Sequence, residues 1–136
     1  MAKSAISIVT GILVAALVVF LVGLLGYQVY PPPMGIVVRD METLQILIGF
    51  ASVGVFVFII SAWMLGSFVG GYCAAGLAES SKMKHAVVVG AVLMVFGVAT
   101  MVLFSPPLWF WILGLGSFIP LACAGANVAA MNKKSQ

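Results

Sequence analysis

Apolar residues run through this chain in long stretches, with the few charges and prolines between them. The first stretch, Ala5 to Tyr27, has 23 residues and no charge, slightly more than the roughly 20 needed to span a bilayer core. Tyr27 and Tyr30 stand at its far end, where aromatic rings favour a membrane-water boundary. Pro31, Pro32 and Pro33 follow. They offer no backbone donors and fix extended backbone, so the pattern predicts a helix over 5–27 and then a loop in water or among headgroups.

Asp40 can cap the next helix, and Glu42 complements its positive end. Leu44 to Ala78 is then 35 residues without a charge, about 52 Å as one helix against a hydrocarbon core of about 30 Å. Gly49, Ser52 and Gly54 lower helix propensity inside this run. The pattern therefore predicts a short interfacial helix over 41–50 and a second crossing over 53–79, the alternative being a single long helix that protrudes. Lys82 and Lys84 mark a short loop, and a third helix follows over 85–104. Ser105, Pro106 and Pro107 turn the chain into a fourth helix over 108–131. Trp109, Phe110 and Trp111 at its start read as an interfacial aromatic girdle. Asn132, Lys133 and Lys134 end it. The expected fold is all-α: residues 1–136 form a single transmembrane domain, an integral membrane four-helix bundle of two antiparallel hairpins.

Composition agrees. Hydrophobic residues make up 64% of the chain and charged residues 7%, with mean hydropathy +1.28, whereas a soluble domain carries roughly 25% charged residues. The net charge of +3 suggests no nucleic-acid partner, because the basic residues flank apolar runs instead of forming a patch. Lys3, Lys82, Lys84, Lys133 and Lys134 fall on one predicted side and Arg39 on the other, which makes the lysine side cytoplasmic, with both termini there. The first stretch is too long for a signal-peptide core and lacks a small-residue cleavage site, so it reads as a retained helix. Cys73 and Cys123 form no C-x-x-C pair and read as packing residues.

The clearest local signal is a ladder of small residues in the second crossing. Ala62, Gly66, Gly70, Ala74 and Ala78 recur every four residues, with Ser67, Gly71 and Ala75 on the adjoining row. The fourth helix carries Ala122, Ala126 and Ala130 beside Gly125 and Ala129. Such rows let two backbones approach closely in lipid, where the hydrophobic effect gives little drive between helices. The expectation is that the second and fourth crossings meet through these ladders, with a homodimer seam as the rival use. The two halves also share a coarse plan that a parallel internal repeat would explain, although any two helical hairpins look alike at this level.

The chemistry is sparse. Asp40, Glu42, Glu79 and His85 all fall at predicted interfaces, leaving no membrane-embedded carboxylate to exchange protons against a substrate. With one histidine and three acidic residues, no metal site, cofactor site or catalytic constellation is expected. Lys82, Lys84 and His85 form a candidate contact for a lipid headgroup, and Asn127 is placed for a hydrogen bond between helices.

Gly66-Ser67-Phe68-Val69-Gly70-Gly71, His85-Ala86 with Val89-Gly90, and Pro107-Leu108-Trp109-Phe110-Trp111 together resemble a family of small uncharacterised bacterial four-helix inner-membrane proteins. The resemblance covers about the last two thirds of the chain and implies a bacterial inner membrane and a pair of helical hairpins, with no activity. A histidine often precedes the proline of the aromatic cluster in that family, whereas Pro106 stands here. The resulting functional expectation is a non-enzymatic membrane protein acting through helix packing, as a homo-oligomer or an accessory subunit of a membrane complex. The alternative is a small oligomeric channel or transporter, for which only Ser61, Ser67, Thr100, Ser117 and Asn127 could supply a polar lining. The expected partners are membrane lipids and either a second copy or another membrane protein.

The charge asymmetry sets a test of orientation. A cysteine introduced at Lys82 or Ser135 should be shielded from an impermeant thiol reagent in intact cells, and one at Gly35 should react. Labelling at Lys82 without labelling at Gly35 reverses the topology.

Overall fold

A computed structural model describes residues 2–31, 37, 39–49 and 51–134. These residues form five helices: α1 (Ala2–Val29), α2 (Met41–Gly49), α3 (Val53–Leu77), α4 (Lys82–Phe104) and α5 (Leu108–Lys134). The described chain is all-helical, and α1, α3, α4 and α5 are each long and apolar enough to cross a membrane. The helices overrun the apolar stretches, so that α4 starts at Lys82 and α5 continues to Lys134, because lysine is a good helix former where water is available to its charge. Of the loop expected at Pro31 to Pro33, only Pro31 is among the described residues, and it is not helical.

The long apolar run is interrupted. α2 ends at Gly49, Ala51 is not helical, and Ser52 has extended backbone (φ −70°, ψ 158°) before α3 begins; Phe50 lies outside the described residues. Asp40 caps α2, its Oδ1 accepting from the Thr43 backbone N–H at 2.8 Å and the Thr43 hydroxyl at 2.7 Å. The Thr43 hydroxyl, and then the Thr43 N–H, hold this carboxyl below the usual aspartate range. The cap is therefore complete above the ordinary aspartate pKa and is lost as pH falls through the lowered one.

α3 is the hub. Its contacts with α1 and α5 are the most extensive in the molecule, and it also meets α4, whereas α1 and α5 do not touch among the described residues. Along α1 the partners on α3 fall in number as the chain advances: Gly11 faces Gly70, Ala15 faces Gly66, Gly26 faces Phe58 and Tyr30 faces Gly54. α1 and α3 therefore run in opposite directions. Along α5 they rise, with Phe110 on Phe56, Gly114 on Trp63 and Ala122 on Gly71, so α3 and α5 run the same way. α4 opposes α5, pairing Met101 with Gly114, Gly97 with Phe118 and Gly90 with Ala122. A two-fold repeat of the halves would turn the α3–α4 contact into an α1–α5 contact. That second contact is missing, so the packing does not repeat.

One end of the bundle gathers the Lys3–Glu79 ion pair (2.6 Å) and the Asn132 Nδ2 hydrogen bond to the Tyr72 hydroxyl (3.0 Å). Lys3 and Glu79 are both well exposed, so the pair contributes little beyond registering α1 on the α3–α4 connection. The opposite end holds Tyr30 against Gly54, together with α2 and the α4–α5 turn.

α4 is bounded by two serines in left-handed backbone, Ser81 (φ 51°) and Ser105 (φ 49°), a conformation non-glycine residues adopt at a cost. After Ser105, Pro106 and Pro107 cannot donate to the carbonyls of Val102 and Leu103, four residues back. Gln45 of α2 supplies the donor that Leu103 lacks, its Nε2 lying 2.9 Å from the Leu103 carbonyl oxygen. This bond ties the short helix to the bundle. Gln45→Ala should free α2, lowering its amide-exchange protection by up to about tenfold, the upper range for one hydrogen bond, with α4 and α5 unchanged. Unaltered protection in α2 would show that the bond does not hold it.

Candidate functional site

The residues singled out by sequence lie in helix-helix seams, where the geometry is set by what faces each glycine. A methyl group added at Gly70 would sit 2.8 Å from the Gly11 carbonyl oxygen and 2.9 Å from Ala15 Cβ; one at Gly66 would lie 3.1 Å from the Ala15 carbonyl oxygen. The row Ala62, Gly66, Gly70, Ala74 thus packs against α1 through Gly66, Gly70 and Ala74, which is not the α5 contact expected for it. The counterpart row on α1 is Ser7, Gly11 and Ala15, all buried. These residues recur every four positions, a signal open to sequence reading but obscured by the leucines and valines around it.

The adjoining row of α3 makes the α5 seam. A methyl group at Gly71 would collide with the Ala122 carbonyl oxygen and Cα, and one at Gly125 with the Phe68 carbonyl oxygen. Ala75, Ala126 and Ala129 continue the seam and meet Ala86 of α4, with Tyr72 packed against them. α4 enters through Gly90, where an added methyl would lie 3.1 Å from Ala122 Cβ. Ala62, Ala74, Ala122 and Ala126 are all buried. The two rows of α3 therefore serve two neighbours, and backbone meets backbone on both sides.

Ser67 lies in the same row, fully buried, and its hydroxyl has no hydrogen-bond partner among the described residues. Ser7 donates to the Lys3 carbonyl, Ser61 to Val57, Thr100 to Phe96 and Ser117 to Gly114, each within its own helix. The hydroxyls named as a polar lining are thus largely occupied by local backbone. Asn127 is exposed on α5, and no interhelical hydrogen bond to it is found among the described residues; Asn132 makes the α3–α5 hydrogen bond instead.

His85 does not join Lys82 and Lys84 at the surface. It is 8% exposed, and its Nδ1 lies 3.0 Å from the Ser81 carbonyl oxygen. A carbonyl only accepts, so Nδ1 carries the hydrogen. The ring closes the turn into α4, leaving Lys84 exposed and Lys82 half-buried. The aromatic girdle needs a similar correction. Phe110 is buried between Phe56 and Trp63, with ring centroids 5.5 and 5.3 Å away, and Trp63 stacks toward Phe118 at 5.3 Å. Trp109 and Trp111 pack against the same cluster as half-buried residues. A helix starting at Leu108 turns about 100° per residue, so three consecutive aromatics cannot share one face.

No family model matches the chain, and no curated protein or solved structure matches it. Among the described residues, no group of three histidine, cysteine, aspartate or glutamate side chains is placed to hold a metal ion.

The seams separate glycines by their surroundings. Gly71→Ala drives a methyl into the Ala122 backbone and should lower the melting temperature of the detergent-solubilised protein, consistent with about 1–3 kcal/mol for overpacking. Gly23, exposed on α1 with open space around it, should tolerate Gly23→Ala with an unchanged or raised melting temperature. Equal effects at the two positions would mean that the α3–α5 seam is not closed.

Proposed function

We propose that this chain is a multi-pass protein of the bacterial inner membrane, with its four long helices crossing as two antiparallel hairpins and both termini in the cytoplasm. It performs no chemistry of its own and works through its helices, associating with a second copy or serving as an accessory subunit of a membrane complex. α2 lies along the outer interface in this reading, with Asp40 and Arg39 beside it.

The observation that carries the membrane reading is the distribution of side-chain size. The buried positions are held mainly by glycine, alanine and serine, with one aromatic cluster, while Leu13, Leu17, Phe20, Leu24, Val95, Phe96, Val102 and Ile112 are all more than half-exposed or at half. In water the hydrophobic effect would bury the large aliphatic residues first. In lipid there is no such preference, and small residues are favoured inside because they allow contact between backbones. The charge asymmetry and the family resemblance support the orientation and the bacterial inner membrane.

Association must use the outer surface, because the glycine rows are occupied within the protomer. α1 offers the largest free apolar face: it is the least buried of the four long helices, and Phe20, Leu21, Leu24 and Leu25 are exposed. The rival reading as a channel or transporter has less support, since the hydroxyls of Ser61, Thr100 and Ser117 are turned to their own helices.

Cross-linking in native membranes, followed by mild-detergent purification and mass spectrometry, tests this function. A stoichiometric dimer or higher oligomer, or one co-purifying membrane protein in constant ratio, is the expected result. A lone protomer that instead conducts ions or moves a solute in reconstituted vesicles overturns it.

A further inference from the structure

Asn127, placed by sequence for a hydrogen bond between helices, lies on the outside of the bundle. It is exposed on α5, and its amide has no hydrogen-bond partner among the described residues. Its depth makes that exposure costly. α5 has 27 residues, about 40 Å of helix against a hydrocarbon core of about 30 Å, so about 5 Å projects at each end when the helix is centred. Asn127 precedes the last residue of α5, Lys134, by about 10 Å. The amide therefore sits about 5 Å inside the hydrocarbon, where lipid tails offer neither donor nor acceptor.

The face that carries Asn127 differs from the other outward faces. At about 100° per residue, Leu113, Gly116, Pro120 and Asn127 fall within about 60° of one another around α5, and all four are exposed. Nothing lies within 4 Å of a methyl group added at Gly116. Pro120 has no N–H to give the Gly116 carbonyl, four residues back. Both residues weaken α5 as a helix, and neither is buried in the protomer. The free face of α1 is larger, but Phe20, Leu21, Leu24 and Leu25 offer only apolar area, which gives little drive between helices in lipid.

We infer that this face of α5 pairs with the same face of a second copy, about a two-fold axis along the membrane normal. Asn127 selects the occupant. Such an axis sets each residue of α5 opposite itself at the same depth. A carboxamide is complementary to its own copy, because it carries both N–H donors and a carbonyl acceptor. The two Asn127 side chains satisfy each other, Nδ2 of one donating to Oδ1 of the other. Gly116, with no side chain, lets the two main chains approach further along the same stripe. A single asparagine in a helix seam also fixes register and favours one oligomeric state. The inference rests on the reading of the chain as a membrane protein that works by association.

The test uses the full chain with Cys73 and Cys123 changed to alanine, reconstituted in vesicles of phosphatidylethanolamine and phosphatidylglycerol. Leu113→Cys and Ala124→Cys, on and beside the stripe, should cross-link to a homodimer under an oxidant that enters membranes, and Phe20→Cys on α1 should not. Asn127→Leu removes an amide that bonds nothing in the protomer, so helix content by circular dichroism should be unchanged. The same change should raise the dimer dissociation constant about tenfold, read by energy transfer between labelled copies as the protein is diluted in lipid. Asn127→Gln, which keeps donor and acceptor, should preserve most of the dimer. Dimers that cross-link through Phe20→Cys and not through α5, or that form equally well with Asn127→Leu, overturn the inference. A wild type that stays a lone protomer in the vesicles also overturns it. If a different membrane protein is then found with it in constant ratio in native membranes, only the self-pairing falls and the association reading stands.

Discussion

Contact between bare backbones at glycine is the interaction on which this bundle depends. At Gly70 and Gly71, successive residues of α3, the helix surface is stripped to its main chain on two sides, and α1 and α5 press against those sides. A methyl group at either position meets a carbonyl oxygen or another atom of the facing helix that cannot rotate away. Dispersion between closely approaching main chains grows with the number of atoms in contact, and in an apolar solvent it is the main attraction available. The centrality of α3 follows: it has small residues on two adjoining rows, so it can hold two helices that never touch each other.

The two ends of the bundle solve different packing problems. Near the Lys3–Glu79 pair the helices are drawn together by Gly70, Gly71, Ala74, Ala75, Ala122 and Gly125. Toward α2 the space between α3, α4 and α5 is filled by Phe56, Trp63, Met101, Phe110 and Phe118. Large rings hold helices further apart than glycine does.

The helices were legible in the sequence because their signals are coarse: uncharged runs of spanning length, prolines at 31–33 and 106–107, and a 35-residue stretch too long for one crossing. Which row faces which neighbour was less legible. Periodicity places Gly66 and Gly70 on one face of α3, but nothing within α3 says whether α1 or α5 lies there. That information is in Ser7, Gly11 and Ala15, three small residues in a helix otherwise dominated by leucine and valine. The burial of His85 was missed because its position beside two lysines suggested a surface, whereas the left-handed turn at Ser81 directs the ring inward. The Gln45 to Leu103 bond joins residues 58 apart; the only hint of it was that two prolines leave two carbonyls without donors.

The pairing of α1 with α3 has a consequence for the order of assembly. As the chain is made, Gly11 emerges well before its partner Gly70, and at about 5–20 residues per second the delay is roughly 3 to 12 seconds. For that interval the Ser7–Gly11–Ala15 groove has no mate from its own chain. The emergence of α3 lets α1 dock and starts the core, and α5 completes it last by taking the second face of the same helix. Synthesis order and packing order thus converge on α3, and a chain stalled after α3 has emerged but before α5 has would hold the hub with one of its two glycine faces bare.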